Sequence, residues 1–200
     1  MISLDRAVAV IDRPSTYYGG FMEIWKDIAC YEGWYQVSNL GNVKSLKRDL
    51  TRSDGVKQTY QEKILKNTIS TTGYHYVSLT KNSNVKKFKT HRLVANAFLD
   101  RDKEKKYVNH IDHNPLNNRL ENLEWCTNQE NICFQKRRKN NAYGYKGLSL
   151  SKNGFYRVRI QYKYKQYEIG KFKDIKEAAR AYNTHAEKMF GKFSLLNEVN

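Results

Sequence analysis

The chain has 200 residues, a formal net charge of +16 and 28% charged residues, a balance that favours a polyanionic partner. Its 15 tyrosines and 2 prolines exclude a Pro-rich disordered chain, and no apolar run approaches the roughly eighteen residues that span a bilayer. The cysteines Cys30, Cys126 and Cys133 are too few and wrongly spaced for a C-x-x-C zinc ribbon. Their odd number argues against a disulfide frame, so reduced thiols are expected.

Residues 1–20 lack a signal-peptide apolar core and read as a poorly ordered lead-in to a cytoplasmic protein. From Glu23, aromatic and β-branched residues alternate with polar ones, punctuated by Gly33 and the turn pair Asn39 and Gly41. This predicts a small β-rich module. The run from Trp25 to Val43, W-x-x-I-x-x-Y-E-G-x-Y-x-V-S-N-x-G-x-V with Cys30 where Gly is usual, is similar to the nuclease-associated modular domain. DNA contact or positioning of a following nuclease is what that resemblance implies.

Residues 44–58 carry Lys44, Lys47, Arg48, Arg52 and Lys57 among small polar residues, which suits either a solvated loop or phosphate contact. Strands are predicted over 63–65 and 74–80. A turn at Lys81-Asn82-Ser83-Asn84 leads to a third strand carrying Lys86, Lys87 and Lys89. Residues 91–98 predict a short helix burying Leu93, Val94, Ala97 and Phe98. His75 reads as a strand-face histidine and His91 as a packing residue.

Residues 107–131 carry the densest pattern. A β-prone run over 107–111 drops into a polar loop from Asp112 to Asn118, and a second apolar run covers 120–126. Thr127 and Glu130 then form a capping box for a helix. The order strand, loop, strand, helix puts His110 on the first strand and Asn131 in the first helical turn. A base at His110 and oxygen ligands at Asn109 and Asn131 would surround one hydrated cation.

Asn109-His110-Ile111-Asp112, the run Asn117 to Trp125, and Glu130-Asn131 resemble the H-N-H nucleases of phage and intron homing endonucleases. The resemblance implies a ββα-metal (His-Me) finger with His110 as first H and general base. Asn122 is the central N, expected to brace the loop and orient His110, and Asn131 takes the third place. Asn109 stands where Asp is common and His113 where Gly is usual. Asn109 and Asn131 are the implied ligands of one Mg²⁺ or Mn²⁺, a hard cation that prefers oxygen donors.

Residues 135–142 contain Lys136, Arg137, Arg138 and Lys139, expected to track phosphates as a basic linker. From Gly144 the pattern resets into strands over 147–151, 155–162 and 166–172, followed by a helix capped by Asp174 and Glu177 and ended by Gly191. Period-2 alternation sends Leu148, Leu150, Tyr156, Val158, Ile160, Tyr167 and Ile169 toward the helix. Ser149, Ser151, Phe155, Arg157, Arg159, Gln161, Gln166 and Glu168 fall on the open face. Tyr145-Lys146-Gly147, the R-V-R-I strand, Ile169 to Phe172 and Glu177 to Tyr182 resemble the DNA-binding domain of plant ethylene-response factors. The family's sheet tryptophans are absent. A β-ribbon with two arginines suits a major groove, so Ser149, Ser151, Phe155, Arg157, Arg159, Gln161 and Gln166 are the candidate DNA contacts.

The expected fold is therefore α+β and modular: a β-rich module over 21–75, the nuclease finger over 76–134, a linker over 135–142, and a three-stranded sheet with a helix over 143–197. The expected protein is a site-specific, metal-dependent endonuclease acting on double-stranded DNA in a bacterial or phage-infected cytoplasm. With one finger per chain it would be a monomer that nicks one strand, with no protein or membrane partner. The alternative from another class is a non-catalytic DNA-binding regulator that keeps the finger as scaffold. An RNA-binding protein suits the charge but has no recognised RNA motif.

Overall fold

The computed structural model describes residues 17–18, 21–51, 54–134, 143–163 and 165–199. The expectations for residues 1–16 and for the basic residues 136–139 lie outside the described residues. Strands β1 (Tyr17–Tyr18) and β2 (Phe21–Met22) pair with each other. Next come β3 (Trp25–Asp27), β4 (Tyr35–Ser38) and β5 (Val43–Ser45). The hairpin β6 (Arg48–Thr51) and β7 (Lys57–Tyr60) makes an excursion before β8 (Lys63–Ile64) returns to β5. The order β3-β4-β5-β8 is antiparallel throughout.

A second sheet holds β9 (Thr68–Ile69), β10 (His75–Lys81) and β11 (Asn84–Lys89), with β10 central. Asn82 and Ser83 turn the β10–β11 hairpin with φ of 51° and 62°, the left-handed pair that matches the twist of a tight hairpin. Helix α1 (Thr90–Phe98) buries Leu93, Val94 and Ala95, while Ala97 and Phe98 are partly covered. The expected division between residues 75 and 76 falls inside this sheet. One core joins Tyr35, Val37 and Val43 of the first sheet to Val77, Leu79, Leu93, Val94 and Leu123. The Tyr35 hydroxyl pins the sheets together, donating to Thr80 O (3.0 Å) and accepting from Thr80 N (3.1 Å).

The finger is the antiparallel pair β12 (Tyr107–His110) and β13 (Leu123–Cys126), followed by α2 (Asn128–Phe134). A 3₁₀ turn, Leu120–Asn122, takes the first part of the run expected as strand. The capping box closes in both directions: Glu130 N donates to Thr127 Oγ1 (3.2 Å) and Thr127 N to Glu130 Oε2 (2.7 Å).

The C-terminal unit is the sheet β14 (Leu148–Leu150), β15 (Tyr156–Tyr162) and β16 (Lys165–Phe172), covered by α3 (Ile175–Phe190). Asp174 caps α3, accepting from Glu177 N at 2.7 Å. Val158 and Ile160 on central β15 are buried against Ala178, Ala179, Tyr182 and Ala186. Leu150 and Tyr167, expected beneath the helix, are 46% and 43% exposed. Both lie on edge strands, where a single helix centred on β15 gives less cover.

Cys30 has φ of 68°, the left-handed region that costs an L side chain about 1–2 kcal/mol. The resemblance noted above places Gly there. Cys30→Gly is expected to raise the unfolding free energy by about 0.5–1 kcal/mol, because relief of strain outweighs the added freedom of the unfolded chain. Urea midpoints of the two proteins check it.

Candidate active site

His110 ends β12, buried at 6% exposure. Its Nε2 lies 3.3 Å from Asn118 Oδ1. The Asn118 amide nitrogen donates to Leu116 O (3.3 Å), an atom that only accepts, and to His75 Nδ1 (3.0 Å). The amide orientation follows, and with it the tautomers. His110 carries its proton on Nε2 and donates to Asn118, which leaves Nδ1 with a free lone pair. His75 accepts through Nδ1.

Burial lowers the His110 pKa below its ordinary 6.5, against the opposing effects of the Asn118 hydrogen bond and the Asp112 charge. The ring is therefore neutral near pH 7 and able to accept a proton. His91 packs edge-on to it at 4.9 Å, and Tyr74 lies 5.1 Å from His91 and 6.0 Å from His110.

Asn122 braces the loop rather than the imidazole. Its amide nitrogen donates to Asp112 Oδ1 (2.9 Å) and Asn117 O (2.8 Å), and its oxygen accepts from Asp112 N (2.9 Å). The side-chain contact to His110 expected from Asn122 is made by Asn118. Against the opposing effect of desolvation, hydrogen bonds from the Asn117 side chain, the Asn114 backbone N–H and the Asn122 amide hold the Asp112 carboxyl below its ordinary range.

His113, in the position where Gly is usual, has φ of 60°. Its ring stacks on Phe134 of α2 at 4.2 Å and 15°, which anchors a backbone conformation that His tolerates better than most residues.

The first sheet buttresses this loop from behind. Leu120 N donates to Asn39 O at 2.8 Å. A Cβ built on Gly41, whose φ is 85°, would fall 2.9 Å from Asn118 Cβ. The S-N-x-G signature of the N-terminal module thus clears the space in which Asn118 holds His110.

Asn109 is 7% exposed; its amide nitrogen donates to Glu124 Oε1 at 3.3 Å. Asn131 lies on α2, partly exposed, its backbone N donating to Thr127 O at 3.1 Å. Helix α2 packs on β12. Among the described residues, no three His, Cys, Asp or Glu side chains gather as a metal-binding group. A cation here is left with amide oxygens and at most a carboxylate or two, a donor set that fits a hard, hydrated divalent ion.

Of the candidate DNA contacts on the C-terminal sheet, Ser149, Arg159 and Gln166 are joined by hydrogen bonds. Arg159 donates to Ser149 Oγ (3.2 Å) and Gln166 Oε1 (3.3 Å). Arg157 faces Glu168 at 3.5 Å. Ser151 instead closes the β14–β15 turn, its hydroxyl donating to Phe155 O (2.9 Å) and accepting from Phe155 N (3.3 Å). The backbone carbonyl of Gln161 accepts from Gln129 Nε2 of α2 at 3.2 Å. Further ties from α2 to the C-terminal unit are Lys146 Nζ to Cys133 O, Lys163 N to Gln129 Oε1, and Phe134 against Phe193.

Residues 23–80 match the NUMOD4 motif and residues 88–132 the HNH endonuclease family. Protein 3.8 of Escherichia phage T7 is 36% identical over 89 residues, 44% of this chain and 73% of that protein. The chain belongs to the HNH endonuclease family. It is also similar to the DNA endonuclease I-HmuI of Bacillus phage SP01, 42% identical over 108 residues. That match covers 54% of this chain, and the chain spans about half (55%) of that relative's length. The solved structure of the homing endonuclease I-HmuI aligns over 55% of each chain at 40% identity, with a TM-score of 0.45.

His91 makes the site acid-sensitive. Burial first, then the charges of His110, Lys89 and Arg92, lower its pKa from 6.5 to about 3, and among the described residues its buried Nδ1 has no hydrogen-bond partner. Between those values the unfolded chain binds more protons than the folded one, so stability falls as pH drops from 6.5 toward 3. His91→Phe is expected to make that decline shallower, as read from denaturant unfolding at pH 7, 5.5 and 4.

Proposed function

We propose that this protein is a metal-dependent DNA endonuclease of the homing type, with His110 as the general base. The observation that carries the reading is the neutral, buried His110, held through Nε2 by Asn118 with Nδ1 left to take a proton. Water attacking a phosphodiester loses its proton to that nitrogen as the P–O bond forms. Asn109 and Asn131 would hold one divalent cation, Mg²⁺ or Mn²⁺, which when bound supplies charge relief at the scissile phosphate and the leaving 3′ oxygen. Asn122 keeps the loop closed, and Asn118 and His75 keep the imidazole in one tautomer and orientation.

Double-stranded DNA is the substrate in this reading, and the net charge of +16 supports it. Residues 143–197 act as an ethylene-response-factor-type DNA-binding unit, tied to the finger through α2, and residues 135–142 track phosphates. The N-terminal module acts by positioning the loop that holds His110. One finger on an asymmetric chain acts as a monomer and nicks one strand. Supercoiled plasmid bearing the site, titrated with Mg²⁺ and Mn²⁺, tests this: nicked circles should accumulate. Direct conversion to linear DNA would refute the nicking claim, and full activity in excess chelator the metal claim.

The amide at Asn109, where the H-N-H resemblance places Asp, favours one competing reading, a DNA-binding regulator without cleavage. Binding without any metal-dependent break in the same assay would select it.

Arg157 and Arg159 are expected to read bases. Arg157→Ala or Arg159→Ala should cost about 1–3 kcal/mol on the target and relax specificity at one position. Competition binding against random DNA checks it, because equal loss on both DNAs would mean phosphate contact only.

A further inference from the structure

Two neutral amides are a poor seat for a divalent ion, since Mg²⁺ is ordinarily held through one or two carboxylates together with substrate phosphates. The hairpin places a carboxylate beside one of them. Glu124 is directly opposite Asn109 in the β12–β13 register, so both side chains project from the same face. Their side chains touch, Asn109 Nδ2 to Glu124 Oε1 at 3.3 Å. That bond uses the nitrogen of Asn109 and leaves its amide oxygen for a ligand; among the described residues this oxygen accepts no hydrogen bond.

The other Glu124 oxygen already faces a cation. Lys192, from the 3₁₀ turn after α3, sets its ammonium 2.6 Å from Oε2. The Glu124 side chain is 20% exposed and that of Lys192 69% exposed. An ion pair with one end so open to water is worth little and is readily exchanged.

We infer that Glu124 is the carboxylate ligand of the finger's divalent cation, standing in for the acid missing at Asn109, and that Lys192 occupies its place until the metal displaces it. The inference rests on the nuclease reading. It commits the metal to the Asn109–Glu124 side of the hairpin and makes Lys192 a competitor for the same oxygen.

The test is Mn²⁺ titration of the full-length, metal-stripped protein, read by electron paramagnetic resonance without DNA. Glu124→Gln should weaken Mn²⁺ binding by at least about tenfold. Lys192→Met, which keeps the carboxylate and removes the competing charge, should tighten it several-fold. A Lys192–Glu124 pair that were only structural would give no tightening. Mn²⁺ affinity unchanged in either variant overturns the assignment, and thermal melting confirms that each is folded. Should Glu124→Gln fail to fold, Lys192→Met decides alone. If wild-type protein cleaves DNA with metal while Glu124→Gln binds Mn²⁺ like wild type, the nuclease reading stands and the Glu124 assignment falls. If wild-type protein neither binds Mn²⁺ nor cleaves, both fall together.

Discussion

His110→Ala is expected to lower the rate of DNA cleavage by about 10²–10⁴-fold or more and to leave DNA affinity nearly unchanged. The imidazole accepts a proton only as water attacks, so its removal affects the chemical step and not ground-state binding. The residue is small enough a part of the core that truncation should leave the fold intact; His91 and Tyr74 line the cavity left behind. Single-turnover cleavage and equilibrium binding, measured on the same preparation, separate the two effects. A variant that cut at near wild-type rate would remove His110 from the chemistry.

Asn118→Leu carries the second large effect. It removes the acceptor that fixes the Nε2 proton of His110 and severs the link to His75. A base free to rotate or to change tautomer loses about 10²-fold in rate through misplacement alone. A second readout distinguishes positioning from general damage. The Asn118 hydrogen bond raises the His110 pKa against the lowering effect of burial, so its loss lowers that pKa further. The base must be neutral to act, so the acidic limb of the pH–rate profile should move to lower pH in Asn118→Leu. A loss of rate with an unmoved limb would mean that Asn118 acts only as packing. His75→Phe, which leaves the Asn118–His110 bond in place, should cost less.

The parts of this site that were legible in the sequence are those set by short-range rules. The Thr127–Glu130 box and the Asp174 cap are local hydrogen-bond patterns, and both formed as read. His110, Asn122 and Asn131 lie on one hairpin and its helix, so their spacing carries the motif. The sequence does not single out Asn118, because its neighbour Asn117 is chemically identical and only the fold decides which turns inward. Its second partner, His75, is 43 residues away, and no periodicity links a strand-face histidine to a distant loop.

The same limit applies to the shared core. The β-rich module and the finger read as separate units, yet Tyr35 bonds to Thr80 and Gly41 packs on Asn118, contacts that local pattern cannot report. Asn109 illustrates the point from the other side. The missing acid was visible in the sequence, whereas the carboxylate opposite it became visible only with the hairpin register. On the C-terminal sheet, alternation sorted the central strand correctly and misjudged Leu150 and Tyr167, because period 2 gives the face and not the cover.

The central claim is that His110 drives metal-dependent cleavage of double-stranded DNA. The most direct test is to map breaks by end sequencing on phage and host genomic DNA treated with wild-type protein or His110→Ala, with Mg²⁺ or with chelator. Breaks that recur at one sequence with wild-type protein and Mg²⁺, and vanish in chelator and with His110→Ala, are the predicted result. The absence of breaks with wild-type protein and metal, or the same breaks with His110→Ala, would contradict it.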